Sequence, residues 1–277
     1  MKRAYLPPAG RPSPKRRKAA PTAYRAIADY YDPEYAHLDY LDRDVPFYMD
    51  HLPRRPQRIL ELAVGTARAA IPLAQLGHRL TGVDYAADML RIATEKRDGV
   101  GLTDRDLRLV RGDLLKLNLG QSFDRAAIFF NSFLSFTTLA QQDRVLRNVA
   151  NHLTKGGTFW LDIFNPDHAL LATPEASDLD PISFYVPSLS RTVFRTTDIS
   201  RDEQLQTQRI TFRYLWFDER GTEHCEVNSF LLGHIFPREL QLLLERNGFD
   251  VKDLYGDHDG SAVEPASPRL IAWCRKR

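Results

Sequence analysis

Five short apolar runs, each joined to the next by a helical or turn-rich stretch, constrain this chain more than any other feature. They are Arg58–Leu62, Arg79–Asp84, Leu107–Arg111, Asp124–Phe130 and Thr158–Phe164. Each is nearly continuously apolar instead of alternating, the pattern of strands buried on both faces. Between them the spacing predicts helices at Ala67–Leu76, closed by Gly77, and at Ala87–Arg97 and Ala140–Leu153. Strands and helices alternating at this spacing build a parallel sheet with right-handed crossovers, so the expected fold is α/β and doubly wound.

The alternation stops after the fifth run. Arg191–Ile199, Leu205–Phe217 and Glu223–Leu232 are rich in Thr, Val, Ile, Phe and Tyr and are separated by turn sequences, which reads as an inserted antiparallel β-meander. A helix resumes at Pro237–Asn247, and Val251–Tyr255 and Arg269–Arg275 read as two last strands with an antiparallel return at the sheet edge. Two helices precede the first strand: Thr22–Tyr31, expected to stop at Asp32-Pro33, and Arg43–Leu52. The expected organisation is a tail over 1–21, one domain built from 22–165 and 237–277, and an inserted lid over 166–236.

Composition closes off several functions. The longest apolar-leaning stretch, Ala126–Ala140, is short of the ~18 residues that a membrane helix needs and carries Asn131, Ser132 and Ser135. The two cysteines, Cys225 and Cys274, stand in no paired spacing, which excludes a disulfide framework and a cysteine zinc site and fits a reducing cytoplasm. No His/Asp/Glu cluster has metal-ligand spacing. Residues 1–20 hold seven Lys and Arg and no acid, so the net charge of +2 leaves the rest of the chain at −5. A body of that sign is a poor nucleic-acid surface. The tail is Pro-rich and without periodicity, so it is expected to be disordered; it has no apolar segment of a secretory signal. Its Lys15-Arg16-Arg17-Lys18 run is either a solvated stretch or a polyanion-binding patch.

The chemistry concentrates at the ends of the strands. Glu61-Leu62-Ala63-Val64-Gly65-Thr66-Ala67-Arg68 follows the first strand and opens a helix, where a doubly wound sheet binds its ligand. A dinucleotide fingerprint would need three glycines there to admit a pyrophosphate; with Gly65 alone, a ligand without one fits better, and S-adenosylmethionine is such a ligand. Asp84 ends the second strand, where a carboxylate can accept both hydroxyls of a ribose. Gly112-Asp113 ends the third, where an acid can accept an adenine amino group. Phe130-Asn131-Ser132-Phe133 ends the fourth, facing the reacting atoms.

With these stretches in place, the chain resembles the class I S-adenosylmethionine-dependent methyltransferases, whose fold is Rossmann-like: a mostly parallel sheet with an antiparallel final strand. The resemblance runs through Ile59–Arg68, Gly82–Leu90, Arg111–Asp113, Phe123–Ser132 and Leu153–Gly157. Tyr24–Asp32 resembles the capping helix of the small-molecule branch, whose tyrosines close over the cofactor, and the meander is similar to the lid of sugar N-methyltransferases and glycine methyltransferases. The resemblance implies a cofactor site made of Tyr24, Tyr31, Glu61, Ala63, Gly65, Asp84, Tyr85, Met89, Asp113, Leu114, Asn131 and Ser132. Ala63 and Ala67 stand where such loops usually carry Gly; each adds a methyl beside the methionine moiety and disfavours positive φ. Ala86 and Ala87 replace the usual Ser-Pro start of the next helix.

The expected activity is in-line transfer of a methyl group to an N or O atom of a small-molecule acceptor. No residue declares itself as general base; Tyr31, Asn131, His168 and His234 are the candidates. The chain lacks both the Asn/Asp-Pro-Pro-aromatic sequence of amino-methylating DNA enzymes and a Pro-Cys dipeptide for pyrimidine C5 chemistry. Each site residue also has a plainer reading: Asp84 and Asp113 as helix or turn caps, Asn131 and Ser132 as backbone partners, Tyr24 and Tyr31 as packing aromatics. The apolar faces of the meander also suit a homodimer contact. The rival functions are a non-catalytic S-adenosylmethionine-binding protein and a protein or RNA methyltransferase recruited by its basic tail.

Overall fold

The computed structural model describes residues 23–36 and 41–277, so the basic tail assigned to residues 1–21 lies outside the described residues. A seven-stranded sheet carries the molecule. In chain order its strands are β1 (Arg58–Leu62), β2 (Arg79–Asp84), β3 (Leu107–Arg111), β4 (Phe123–Ile128), β5 (Leu153–Phe164), then, after a four-stranded insertion, β10 (Phe249–Tyr255) and β11 (Arg269–Lys276). Their spatial order is β10-β11-β5-β4-β1-β2-β3, with β1 to β5 parallel and β11 antiparallel to both neighbours. The chain order reverses beside β1, between β2 and β4, so the loop after β1 opens at a topological switch point, where open α/β sheets bind ligands.

Two apolar layers hold the sheet. One face packs on α5 (Leu139–His152) and α7 (Pro237–Arg246) through Val145, Leu146, Val149, Leu240 and Leu244. The other packs on α2 (Leu41–Asp50), α3 (Ala70–Gln75) and α4 (Ala87–Gly99) through Val45, Ile71, Leu73 and Ala93. The α5 helix starts at a capping box: Thr138 accepts from the Gln141 amide, and the Gln141 side chain accepts from the Thr138 amide. Among the described residues, no helix is long and apolar enough to cross a membrane.

Several expected boundaries move, each for a local reason. The first helix, α1 (Ala23–Tyr35), continues through Pro33; tertiary contacts of Tyr30 and Glu34 on either side hold the turn that the proline would otherwise loosen. The helix after β1 begins at Ala70, because Ala67 has φ +62° and the chain is still turning there. β4 ends at Ile128 because Phe130 and Asn131 are both left-handed. β5 starts at Leu153 and not at Thr158, directly from α5, and runs through Gly156 and Gly157, with a register shift opposite Phe123–Arg125. The last two strands form the antiparallel return at the sheet edge as expected, with β10 outermost and β11 between it and β5.

The insertion is a separate antiparallel sheet of four strands, not three: β6 (Glu175–Val186), β7 (Arg191–Asp202), β8 (Thr207–Phe217) and β9 (Glu223–Gly233). β6 escapes a pattern reading because its acids and Pro181 break the alternation, and left-handed Asp178 and Asp180 accompany its shifts in register. A four-residue helix, α6 (His168–Leu171), precedes it. One face of this inserted sheet packs on α1, where Ile27 and Tyr30 meet Phe184, Val186, Val193, Phe212 and Tyr214. Polar contacts reinforce the seam. Tyr214 donates to Glu34 at 2.8 Å, Arg195 pairs with Glu34 at 3.1 Å, and Tyr30 donates to Glu226 at 3.2 Å and receives a hydrogen bond from Arg191.

Candidate functional site

The loop after β1 is built on left-handed residues. Ala63, Gly65 and Ala67 take φ of +56°, +56° and +62°. The two alanines adopt the conformation that glycine would take at no steric cost, at about 1–2 kcal/mol each. Val64 is pinned beneath the loop; a Cβ on Gly82 would approach the Val64 side chain to 2.8 Å, so β2 needs a glycine there. Gly65 faces the other way, and a Cβ added to it would meet nothing within 4 Å. The loop therefore shows bare backbone to open space at the switch point. Because glycine itself costs about 0.5–1 kcal/mol in chain entropy, Ala63→Gly and Ala67→Gly are each expected to stabilise the protein by about 0.5–1 kcal/mol. Thermal unfolding checks this; a lower melting temperature in both would show that the methyl groups pack better than the strain costs.

Asp84 closes the cradle from β2. One carboxylate oxygen accepts the Gly65 amide at 2.8 Å and the other accepts the Ala86 amide at 2.8 Å. Burial raises its pKa, and the backbone bonds from Ala86 and Gly65 partly offset that. Both readings of Asp84 thus meet in one side chain: it caps the turn into α4 and also shapes the loop, with lone pairs to spare on each oxygen. Beside it, Tyr85 is exposed, with the Arg111 guanidinium 5.9 Å from its ring centre. Asp113 accepts the Leu115 amide at 2.9 Å in a turn after β3. Met89 and Leu114 are buried beneath these residues.

Glu61, at the end of β1, is buried, and its Oε2 has no hydrogen-bond partner among the described residues. Burial pushes its pKa up to about 8; Arg68 opposes the rise, and Asp44 and Asp84 add to it. No local pattern announces the ion pair that flanks it: Arg68 donates to both oxygens of buried Asp44, at 2.8 and 2.5 Å. The pairing needs α2 to cross the loop, which no local pattern reveals.

The helix α1 covers the cradle. Asp32 accepts from the Thr66 hydroxyl at 2.6 Å and from Lys96 at 2.8 Å, which fastens α1 to the loop and to α4. Tyr31 packs on Tyr35 with ring centres 4.4 Å apart, and Tyr35 meets Phe130 edge-on at 5.0 Å. Tyr24 lies in α1, and its side chain is outside the described residues. At the end of β4, the Asn131 side-chain oxygen accepts the Phe164 amide at 2.6 Å, and its own amide donates to the Asp162 carbonyl at 3.1 Å. Asn131 thus clips β4 to β5, and that oxygen is engaged. Ser132 opens the 3-10 turn that follows, Ser132–Ser135.

The other candidates lie around the lid. His168 is exposed and stacked on Phe236 at 5.4 Å. His234 follows β9; its Nε2 is buried with no partner among the described residues, and burial together with Arg201 lowers its pKa. A buried network that sequence reasoning missed sits below the end of β5. Asp162 accepts from Tyr48 at 2.5 Å, contacts His258 at 3.2 Å and pairs with Arg269, which donates to it through Nε at 2.9 Å and also through Nη2. Its partners come from α2, β11 and the loop before β11, too far apart in sequence to announce themselves.

Residues 59–157 match the methyltransferase domain family. The match covers β1 to the start of β5, which includes the loop, Asp84, Asp113 and Asn131. The chain is 30% identical over 122 residues to the cypemycin N-terminal methyltransferase of a Streptomyces species, 44% of this chain and 48% of that one, so it spans about half the length of that relative. It is 26% identical over 260 residues to the putative methyltransferase YqeM of Bacillus subtilis, 91% of this chain and 97% of that one. A third relative is the dTDP-3-amino-3,6-dideoxy-alpha-D-glucopyranose N,N-dimethyltransferase of Streptomyces fradiae, at 27% identity over 65% of each chain. Among solved structures, the CcbJ methyltransferase from Streptomyces caelestis superposes with a TM-score of 0.72 at 25% identity, covering 90% of this chain and 96% of that one. An S-adenosylmethionine-dependent methyltransferase from Clostridium acetobutylicum gives 0.73 at 19% identity, covering 91% and 98%. That likeness extends over the inserted sheet as well as the stretch that carries the match.

Proposed function

We propose that the protein is an enzyme that transfers a methyl group from S-adenosylmethionine to a nitrogen or oxygen of a small-molecule acceptor held beneath the lid. The observation that carries this reading is the cradle: left-handed loop, open backbone at Gly65 and the Asp84 carboxylate facing one another at the switch point. The residues fit the cofactor. Asp84 has acceptor capacity for the ribose hydroxyls, Asp113 stands where an adenine amino group would donate, and the unpaired Oε2 of Glu61 suits the ammonium of the methionine moiety. Bound S-adenosylmethionine supplies a methyl group on a cationic sulfur, already activated for displacement. The chain's own work is to align the acceptor and exclude water, where effective molarities of ~10⁵–10⁸ M are accessible. Tyr31 and Tyr35 close one side, and Phe130 and the Asn131 clip fix the other. Of the four candidates, His234 has a buried Nε2 with no partner among the described residues, and burial together with Arg201 disfavours its protonated form. The relatives that act on a peptide N-terminus and on an amino sugar support an amine as the acceptor.

The raised pKa of Glu61 gives this reading a pH signature. Its folded value of about 8 lies above the ordinary carboxylate range, so the folded protein holds a proton that the unfolded chain releases. Stability of the free protein therefore falls as pH rises from the ordinary range through about 8. Binding of a cation beside Glu61 favours the ionised form, so cofactor affinity is expected to rise across the same window, and Glu61→Gln to flatten both trends. Calorimetric titrations at several pH values check this; a wild-type affinity independent of pH would remove Glu61 from the site. Incubation with methyl-labelled S-adenosylmethionine and a fractionated cell extract tests the function itself. Label in small metabolites supports it. Label only in protein or RNA favours recruitment by the basic tail, and cofactor binding without any transfer favours a non-catalytic module.

A further inference from the structure

The end of the large sheet remote from the cradle carries arginines without counter-ions. Arg125 on β4, Thr158 on β5 and Arg275 on β11 lie opposite one another across three adjacent strands, so their side chains leave the same face. Arg125 donates through Nη1 to the Thr158 hydroxyl at 2.9 Å, and its Nε is buried with no partner among the described residues. Arg275 is exposed and has no ion pair among the described residues; Asp250, opposite it on β10, is held by Arg277 at 2.6 Å. The Arg275 guanidinium lies over Gly156, where an added Cβ would come within 3.2 Å of Nη2, so that position needs a glycine. Arg55, in the loop before β1, brings a third positive charge. Burial lowers the Arg125 pKa, Asp124 opposes the fall and Arg55 adds to it. Asp124 is itself engaged by Arg58, through the backbone amide at 2.9 Å and the side chain at 3.5 Å.

The same face holds further donors without acceptors. One step along the strands, Trp160 on β5 pairs with Trp273 on β11, and the rings stack 5.8 Å apart. The indole Nε1 of each is buried and unpaired among the described residues. Arg125 and Trp160 line one cleft, whose other walls include Tyr48, Leu52, Leu73 and Phe129. Arg125, Thr158 and Trp273 are half-buried and Arg275 is exposed, so the row opens to solvent. Like charges side by side and buried N–H groups without acceptors both cost stability. Both costs fall on the same few residues, and an anion relieves both. Its class follows from the donors. The outer strands of the row are two spacings apart, roughly 10 Å, and each guanidinium presents a fork of N–H groups, with the Thr158 O–H between them. A carboxylate has two oxygens and fills one fork, whereas a tetrahedral oxyanion has enough to meet both.

We propose that Arg125, Thr158 and Arg275 form a binding site for a phosphate group, free or carried on a small molecule, with the Trp160 indole at its inner wall. The row stands at the N-terminal ends of β4 and of the middle of the sheet, whereas the cradle opens at the C-terminal ends of β1 and β2. The two sites therefore lie on opposite edges of the sheet, and the phosphate site stands or falls independently of the methyl-transfer reading.

Titration of the full chain with sodium phosphate, sodium acetate and phenyl phosphate, at constant pH and ionic strength, tests the site. The readout is the indole N–H signals of the three tryptophans in proton–nitrogen correlation spectra, assigned with Trp160→Phe, Trp216→Phe and Trp273→Phe. Phosphate is expected to move the Trp160 signal to saturation while Trp216, on the inserted sheet, stays in place, and acetate to bind roughly tenfold more weakly or worse. Arg275→Gln is expected to weaken phosphate by a similar factor without changing the melting temperature in chloride, because the side chain is exposed. Arg275→Lys, which keeps the charge and loses the fork, is expected to fall between the two, and Arg125→Gln to abolish the shift. Phenyl phosphate that binds as well as phosphate assigns the site to a phosphate borne on a larger molecule, and phenyl phosphate that is excluded assigns it to the free ion; both results support the proposal. A Trp160 signal that does not saturate with phosphate would overturn it. So would acetate binding as tightly as phosphate, or unchanged phosphate affinity in Arg275→Gln.

Discussion

Asp84→Ala is expected to lose two to four decades of S-adenosylmethionine affinity while the protein stays folded. Two charge-assisted hydrogen bonds to ribose hydroxyls, at roughly 1.5–3 kcal/mol each, account for about 3–6 kcal/mol. The structure adds a second loss. The same carboxylate accepts the Gly65 and Ala86 amides, so its removal also releases the loop that must stay open to the cofactor. Asp84→Asn is therefore not a mild change. Its amide keeps one acceptor oxygen and turns a donor toward one of two backbone donors, so it is expected to approach the alanine variant. Calorimetric titration of both, with circular dichroism as the folding control, decides the matter. Near-wild-type affinity in Asp84→Ala would leave Asp84 as a turn cap alone.

The largest effect on stability is expected at Asp162, far from any motif. Burial would raise its pKa, but the Arg269 guanidinium and the hydrogen bonds from His258 and Tyr48 overcome that and hold it below the usual carboxylate range. Asp162→Ala strands Arg269, which is 2% exposed, and removes the partner of Tyr48 and His258. Breaking a buried pair on one side costs about 3–5 kcal/mol. For a protein of this size that lowers the melting temperature by roughly 6–20 °C. Asp162→Leu combined with Arg269→Met is expected to recover much of the loss, since no charge is then left alone. The stabilisation by Asp162 is present above the ordinary carboxylate pKa and is lost as pH falls through its lowered folded value, so the gap between wild type and Asp162→Ala should narrow in acid. A gap that stays constant with pH would mean that packing, not charge, makes Asp162 necessary.

What the sequence revealed and what it hid divide along the range of the interactions. β1 to β3 and the loop after β1 were legible because buried parallel strands are short apolar runs and the switch-point acids stand at their ends. The alanines at 63 and 67 were recognisable as departures, and they take the left-handed conformation in spite of their methyl groups, because the Val64 anchor and the Asp84 bonds fix the chain on both sides. β6 was hidden because acids and Pro181 occupy a strand whose identity comes from pairing with β7. The Asp44–Arg68 pair, the Asp162 network and the row Arg125–Thr158–Arg275 are products of tertiary contact between residues distant in the chain, for which no local pattern exists. At Asn131 the plainer of the two readings describes the side-chain oxygen, which accepts the Phe164 amide and joins two strands.

One helix serves both halves of the site. Asp32 ties α1 to the loop after β1, proposed above to hold the cofactor, and Tyr30 and Glu34 of the same helix tie it to the inserted sheet, proposed above as the lid. The two binding events therefore share a single mechanical element, and their free energies are linked. Any tightening of the lid that follows seating of the cofactor must be returned, by the same factor, as a tighter hold on the cofactor once the acceptor is in place. Spent cofactor is then released most readily from a protein whose lid has already let its product go.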